Sequence, residues 1–276
     1  MSYLPGVDAA TTAEWPDLVA EFDRWGEDGR VATLWWRDDD AVTATAQLDN
    51  LLRLAGDVPV ALAVIPALAR PELAVAVHGT PGVRLLQHGW SHANWAMYGK
   101  KSEYPEGRSA PAVAAEIGAG RARLKALFGP RALPVLVPPW NRFAREFLPL
   151  LSRNGIAGLS TMVSSSGAAL PPVGALPGLV LIDVHVDLVA WHEDRGFIGE
   201  GAALGSLVGH LRASRLGAAD TAQPIGILTH HLIMDGATAV FLDRLIALVR
   251  GHAAARWATA GELLSCRRAP VMMVLS

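Results

Sequence analysis

The chain has a single cysteine, Cys266, in 276 residues. That excludes an internal disulfide and any metal site built from several thiolates. Charge is also scarce: 18% of residues carry it, 24 Lys and Arg stand against 26 Asp and Glu, and the formal net charge is −2. Such a balance supplies no general field for nucleic acid or for an anionic membrane. No Lys/Arg cluster alternates with aromatics as a nucleic-acid groove requires. No apolar run reaches the roughly 18–20 residues needed to cross a bilayer. The first eight residues, Met1 to Asp8, show neither a basic stretch nor an apolar one, so no secretory signal is visible and a cytoplasmic location is expected.

What the chain has is apolar mass, 51% of its residues, enough to fill a large α/β barrel or two small domains. Short apolar runs bounded by Gly, Pro or Asp predict strands at 31–37, 58–65, 83–87, 135–138, 156–161, 179–189 and 225–230. Amphipathic stretches between them predict helices at 44–55, 71–77, 111–128, 142–154, 202–216 and 237–252. Pro71 and Pro111 stand where a first helical turn tolerates proline. This alternation predicts a distorted or incomplete parallel (β/α) barrel of about seven strands. It spans 1–276 as a single domain, with 1–30 as an N-terminal extension. The stretches 95–110 and 163–178 read as long loops at its mouth.

Polar residues gather at one end of these strands. Asp39, Asp40, His88, Trp140, Asp187 and His230 each lie at or just beyond a strand's C-terminal end, the rim where parallel barrels build active sites. His88 and His92 are four apart in Gln87-His88-Gly89-Trp90-Ser91-His92, and Asp38-Asp39-Asp40 ends another strand. Two imidazoles and a carboxylate are the ligand set of a catalytic zinc site with one position open. Three adjacent aspartates repel one another, which a cation would relieve; capping the helix near Thr43 needs only one of them. Trp140 follows a stiff Pro-Pro corner and reads equally as a rim turn or as a wall against a sugar ring. Asp183, His185 and Asp187 alternate along one strand, so they are expected to share a face. Of the adjacent pair His230 and His231, only one can point to the barrel interior.

In order, these motifs resemble the NodB-type polysaccharide deacetylases, carbohydrate esterase family four, from about Val31 to Leu264. The resemblance implies an incomplete barrel, a divalent metal, most simply zinc, held by Asp-His-His, and a carbohydrate substrate. It places the catalytic base at Asp39, the metal ligands at Asp40, His88 and His92, and the catalytic acid at His230 of Leu228-Thr229-His230. A register one residue earlier, Asp38 and Asp39, stays open. Gly89 replaces the family's hydroxyl residue after the first histidine. The Pro139-Trp140 half of the third motif is present, but Val137 stands where the family has an arginine that orients the catalytic aspartate; Arg37 or Arg142 are the candidate replacements. Asp187 and Trp191 loosely match the fourth motif. Trp140, Asn141, Asp187 and Trp191 are thus expected against substrate, with Arg37 and Asp38 in support. The implied activity is metal-dependent removal of acetyl groups from a carbohydrate. The alternatives are a silent carbohydrate-binding barrel and a hydrolase of a small non-sugar amide.

Overall fold

The computed structural model describes residues 12–163, 178–217 and 224–266. The expected loop at 163–178 falls almost entirely outside them.

All the strands of the sheet pair in parallel. They are β1 (Ala32–Ala41), β2 (Ala61–Val64), β3 (Arg84–His88), β4 (Ala132–Val137), β5 (Gly158–Leu159), β6 (Val180–Leu181), β7 (Val186–Asp187), β8 (Ile225–Thr229) and β9 (Ala255–Trp257). Their order is β6-β5-β4-β3-β2-β1-β8-β7, with β9 beside β1. The nine strands among the described residues exceed the expected number of about seven because 179–189 is broken in two and β9 is added. The helices are α1 (Trp15–Glu27), α2 (Ala46–Ala55), α3 (Pro71–Val77), α4 (Ala110–Phe128), α5 (Leu148–Arg153), α6 (Glu200–Arg215), α7 (Gly236–Gly251) and α8 (Ala260–Cys266). No helix among the described residues is long and apolar enough to cross a membrane.

Alternation along β1 divides the apolar mass. Trp35 points inward with Ala61, Ala63, Leu86, Val135, Val137 and Leu228. Leu34 and Trp36 point outward into the layer between sheet and helices, with Leu18, Phe22, Leu48 and Leu245. Both faces of β1 are therefore buried, which is why it reads as an unbroken apolar run. α1, in the stretch expected as an extension, adds Trp15, Leu18, Phe22 and Trp25 to the outer layer. It is tied to α6 through fully buried Glu21, which accepts from Arg215 at 2.7 Å.

The two ends of the sheet are joined by the chain itself. Residues between β6 and β7 bond to the β5 side (Val184 N–H to Thr161 O, 2.9 Å) and then to β8 (His185 N–H to Gly226 O, 2.7 Å). At this junction alternation fails: Val184 belongs to the inner cluster and Val186, two residues on, to the outer one. Asp183, His185 and Asp187 consequently do not share a face, contrary to expectation. Each finds its own partner. Asp183 accepts from the Thr161 N–H and hydroxyl at 2.8 Å, and His185 Nδ1 accepts from Gly226 N–H at 3.0 Å. Gly226 is required here, since a Cβ would lie 2.5 Å from Trp35 Nε1 and 2.7 Å from Asp183 O. His210 of α6 packs its ring 5.1 Å from that of His185.

Candidate metal centre and active site

The end of β1 departs from a regular ladder. Asp38 pairs with Leu62 of β2 and Ala41 with Val64, so one extra residue is held on β1. Asp40 has φ 71. A bulge of this kind re-aims a side chain. Asp39 and Asp40, which regular alternation would send to opposite faces, both reach the mouth.

Asp40 Oδ1 lies 3.2 Å from His88 Nε2 and 3.4 Å from His92 Nε2. The three donor atoms lie within 4.8 Å of one another. Despite these distances Asp40 Oδ1 makes no hydrogen bond. Its approaches to the two nitrogens match the edge of a tetrahedron with metal bonds of ~2.0–2.1 Å, about 3.3 Å. His88 Nδ1 bonds Val137 O at 3.0 Å, which makes Nδ1 the protonated nitrogen and leaves the Nε2 lone pair free, the usual outer support of a metal-bound histidine. This donor set fits a divalent cation. Burial opposes ionisation of Asp40, but His88, His230 and His92 outweigh it and hold the carboxyl well below the usual carboxylate range. Burial likewise opposes charging of His88, where Asp39 and Asp40 prevail and raise its pKa. For His92, burial and then the neighbouring His88 lower it.

Asp39 is 3% exposed. Its Oδ2 accepts from Arg37 Nη2 at 3.0 Å, and Arg37 Nε is 2.9 Å from Oδ1, off the hydrogen-bond axis, so Oδ1 is left without a hydrogen bond. Arg37 is fully buried and also donates to the Asn141 side-chain oxygen (2.8 Å), the Ser160 hydroxyl (2.8 Å) and Ser160 O (3.2 Å). Of the two candidate replacements for the missing arginine, Arg37 is the one on Asp39. Arg142 instead donates to Lys101 O at 2.9 Å.

Asp38 lies on the other face. Its carboxylate accepts from the Thr229 hydroxyl at 2.6 Å and from His231 Nδ1 at 2.5 Å, and Trp36 Nε1 donates to Thr229 Oγ1 at 2.8 Å. No oxygen of Asp38 is turned to the two histidines, so the earlier register finds no geometric support. Nor does the acidic run cap a helix: the cap of α2 is Thr45, whose hydroxyl accepts from Leu48 N–H at 3.0 Å.

His230 faces the mouth, with its Nδ1 buried and unbonded. Trp191 meets it edge-to-face at 4.8 Å. Asp187 accepts from Trp191 Nε1 (2.7 Å) and Val189 N–H (3.0 Å) and is not hydrogen-bonded to His230; burial pushes its carboxyl up. Trp140 packs against His92 at 4.4 Å. Asn141, expected against substrate, spends its side-chain oxygen on Arg37. Five non-glycine residues among those described have positive φ, and Asp40, His92, Trp140 and Asn141 are four of them. Strain gathered at one place in this way is characteristic of functional sites. Sequence reasoning missed Glu103 and Ser160, which hold the site from neighbouring loops; the glycine at position 89 was the one signal for the former.

No protein-family model matches the chain, and no curated protein matches it by sequence. Solved structures do. A Mycobacterium smegmatis protein assigned to the polysaccharide deacetylases superposes with a TM-score of 0.59 at 19% identity, covering 94% of each chain. This is the polysaccharide deacetylase fold. A family-four acetyl xylan esterase from Clostridium thermocellum, in complex with cobalt, gives 0.51 at 15% identity, over 85% of this chain and 91% of its own. A mutant family-four pseudoenzyme with restored activity gives 0.52 at 13%, over 85% and 68%. At such identities the likeness to these structures is one of fold, and the site has to be read from its own residues.

Proposed function

We propose that this protein is a metal-dependent hydrolase that removes acetyl groups, N-linked ones first of all, from a carbohydrate. The observation that carries the reading is the convergence of Asp40, His88 and His92 beside a buried carboxylate, Asp39, with one oxygen unbonded. Asp40, His88 and His92 would hold the ion, and zinc suits their donor types best. When bound, such an ion polarises a carbonyl and makes water more acidic.

The chain's own residues supply the rest. As a water oxygen adds to the acetyl carbonyl carbon, its proton passes to Asp39 Oδ1, which Arg37 keeps oriented. The C–N bond then breaks as His230 delivers a proton to nitrogen, since an amine anion is too basic to leave unaided. Acetate and the free amine result; Asp39 gives up its proton to solvent and His230 takes one back. Trp140 and Trp191 offer flat faces to the sugar ring.

The test is acetate release from a panel of acetylated saccharides, before and after chelation, alongside metal content. One ion per chain with chelator-sensitive release is expected. Metal without release would transfer the reading to a non-sugar amide. Neither metal nor release would reject it in favour of a silent binding barrel, although Val137 has not left Asp39 without a guanidinium.

A further inference from the structure

The turn that carries the two histidines is gripped by a side chain that belongs to no motif. Glu103 is fully buried. Its Oε2 accepts from Trp90 N–H at 3.1 Å, and its Oε1 from Ser91 N–H at 2.8 Å and the Ser91 hydroxyl at 3.1 Å. Trp90 and Ser91 both lie between His88 and His92. The grip is anchored in turn. Arg108 donates to Glu103 O at 2.9 Å and forks onto Glu116 of α4 at 2.9 and 2.7 Å.

Gly89 completes the arrangement. At φ 58 a Cβ would overlap the Glu103 carboxylate and stand 2.7 Å from Pro139 Cδ. The bare glycine is what admits the carboxylate to the turn. His92 itself has φ 58, a conformation L-residues avoid, so local preference does not set its place.

We propose that Glu103 is a positioning residue for the metal centre: by bonding Trp90 and Ser91 it fixes the separation and tilt of His88 and His92, and Gly89 is bare to make room for it. The inference rests on the metal-site reading above. A carboxylate reaching across from the next loop does here what a residue within the turn could otherwise do.

The measurement is titration of the metal-free protein with Co²⁺, affinity taken by chelator competition and ligand geometry from the visible absorption bands. Loss of an outer support typically weakens metal binding about 10–100-fold. Glu103→Ala should fall in that range with altered bands, while Glu103→Gln, which keeps one acceptor oxygen, should fall between it and the parent. Gly89→Ala should also weaken binding, because its methyl would meet both the Glu103 carboxylate and the Pro139 ring. Parent-like affinity and bands in Glu103→Ala would overturn the inference while leaving the metal site standing. A parent that takes up no stoichiometric metal would overturn both. If Glu103→Ala fails to fold, Ser91→Ala and Glu103→Gln carry the comparison, and parent-like binding in both would overturn it.

Discussion

Arg37 shows what a single side chain must satisfy here. Its guanidinium reaches Asp39, Asn141 and Ser160, and so ties the ends of β1, β4 and β5 at the mouth. A lysine keeps the charge but cannot present a planar fork to three partners. Arg37→Lys should therefore retain its metal and lose turnover by about 10²-fold, the order of cost for a misplaced catalytic group; metal content and turnover measured on the same sample check this. Full turnover would show that Asp39 needs no such hold. The adjacent histidines form the complementary pair. His230 has an unbonded Nδ1 at the mouth, whereas His231 is 1% exposed and spends its Nδ1 on Asp38. His230→Ala should lose about 10²–10⁴ in turnover, the usual contribution of a general acid, with metal retained, and His231→Ala far less. The opposite ranking would reject His230 as the acid.

An element can carry two jobs because alternate residues face opposite ways, and β1 does so. Trp36 and Asp38 serve the packed outer layer, while Arg37 and Asp39 serve the mouth. That much is legible in the sequence, since a buried strand's end and the sidedness of His230 and His231 follow from period-two alternation. The bulge that brings Asp40 round is not legible, because it depends on pairing with β2 and on a left-handed residue that no local pattern announces. Nor is the break between β6 and β7, where an even spacing of Asp183, His185 and Asp187 suggested one face. The outer half of β1 also makes a pH prediction. Burial opposes charging of His231, but Asp38 outweighs it, so its pKa in the folded protein lies above the ordinary 6.5. A raised folded-state pKa gives stability that is fully present below about pH 6.5, the unfolded value, and is lost as pH rises through the folded one. His231→Asn keeps a donor near Asp38 without the charge. Its melting temperature should fall furthest below the parent's under pH 6.5, and the gap should close at higher pH. A gap that widens with pH would mean that His231 is neutral in the folded protein.

At the scale of the whole molecule the barrel class was readable, because alternating short apolar runs and amphipathic helices admit few other solutions. The helix α1 was not, since its apolar residues make sense only once α6 and α7 are there to receive them. The candidate centre belongs to this scale too. Its ligands come from β1 and from the end of β3 and the turn after it, and β2 lies between those strands. In the unfolded chain Asp40 and His88 are 48 positions apart and do not form a preorganised set. An ion bound at this site therefore favours the folded state by mass action, by about 2.7 kcal/mol at a free concentration 100 times the dissociation constant. For a chain of this size that corresponds to a rise of about 5–8 °C in melting temperature. Titrating the metal-free protein with Zn²⁺ while following thermal unfolding should show this rise, growing with the logarithm of free metal once the site is saturated. His88→Ala with His92→Ala should fold without metal and lose the rise. An equal rise in that double variant would place the bound ion elsewhere in the protein and sink the assignment of Asp40, His88 and His92.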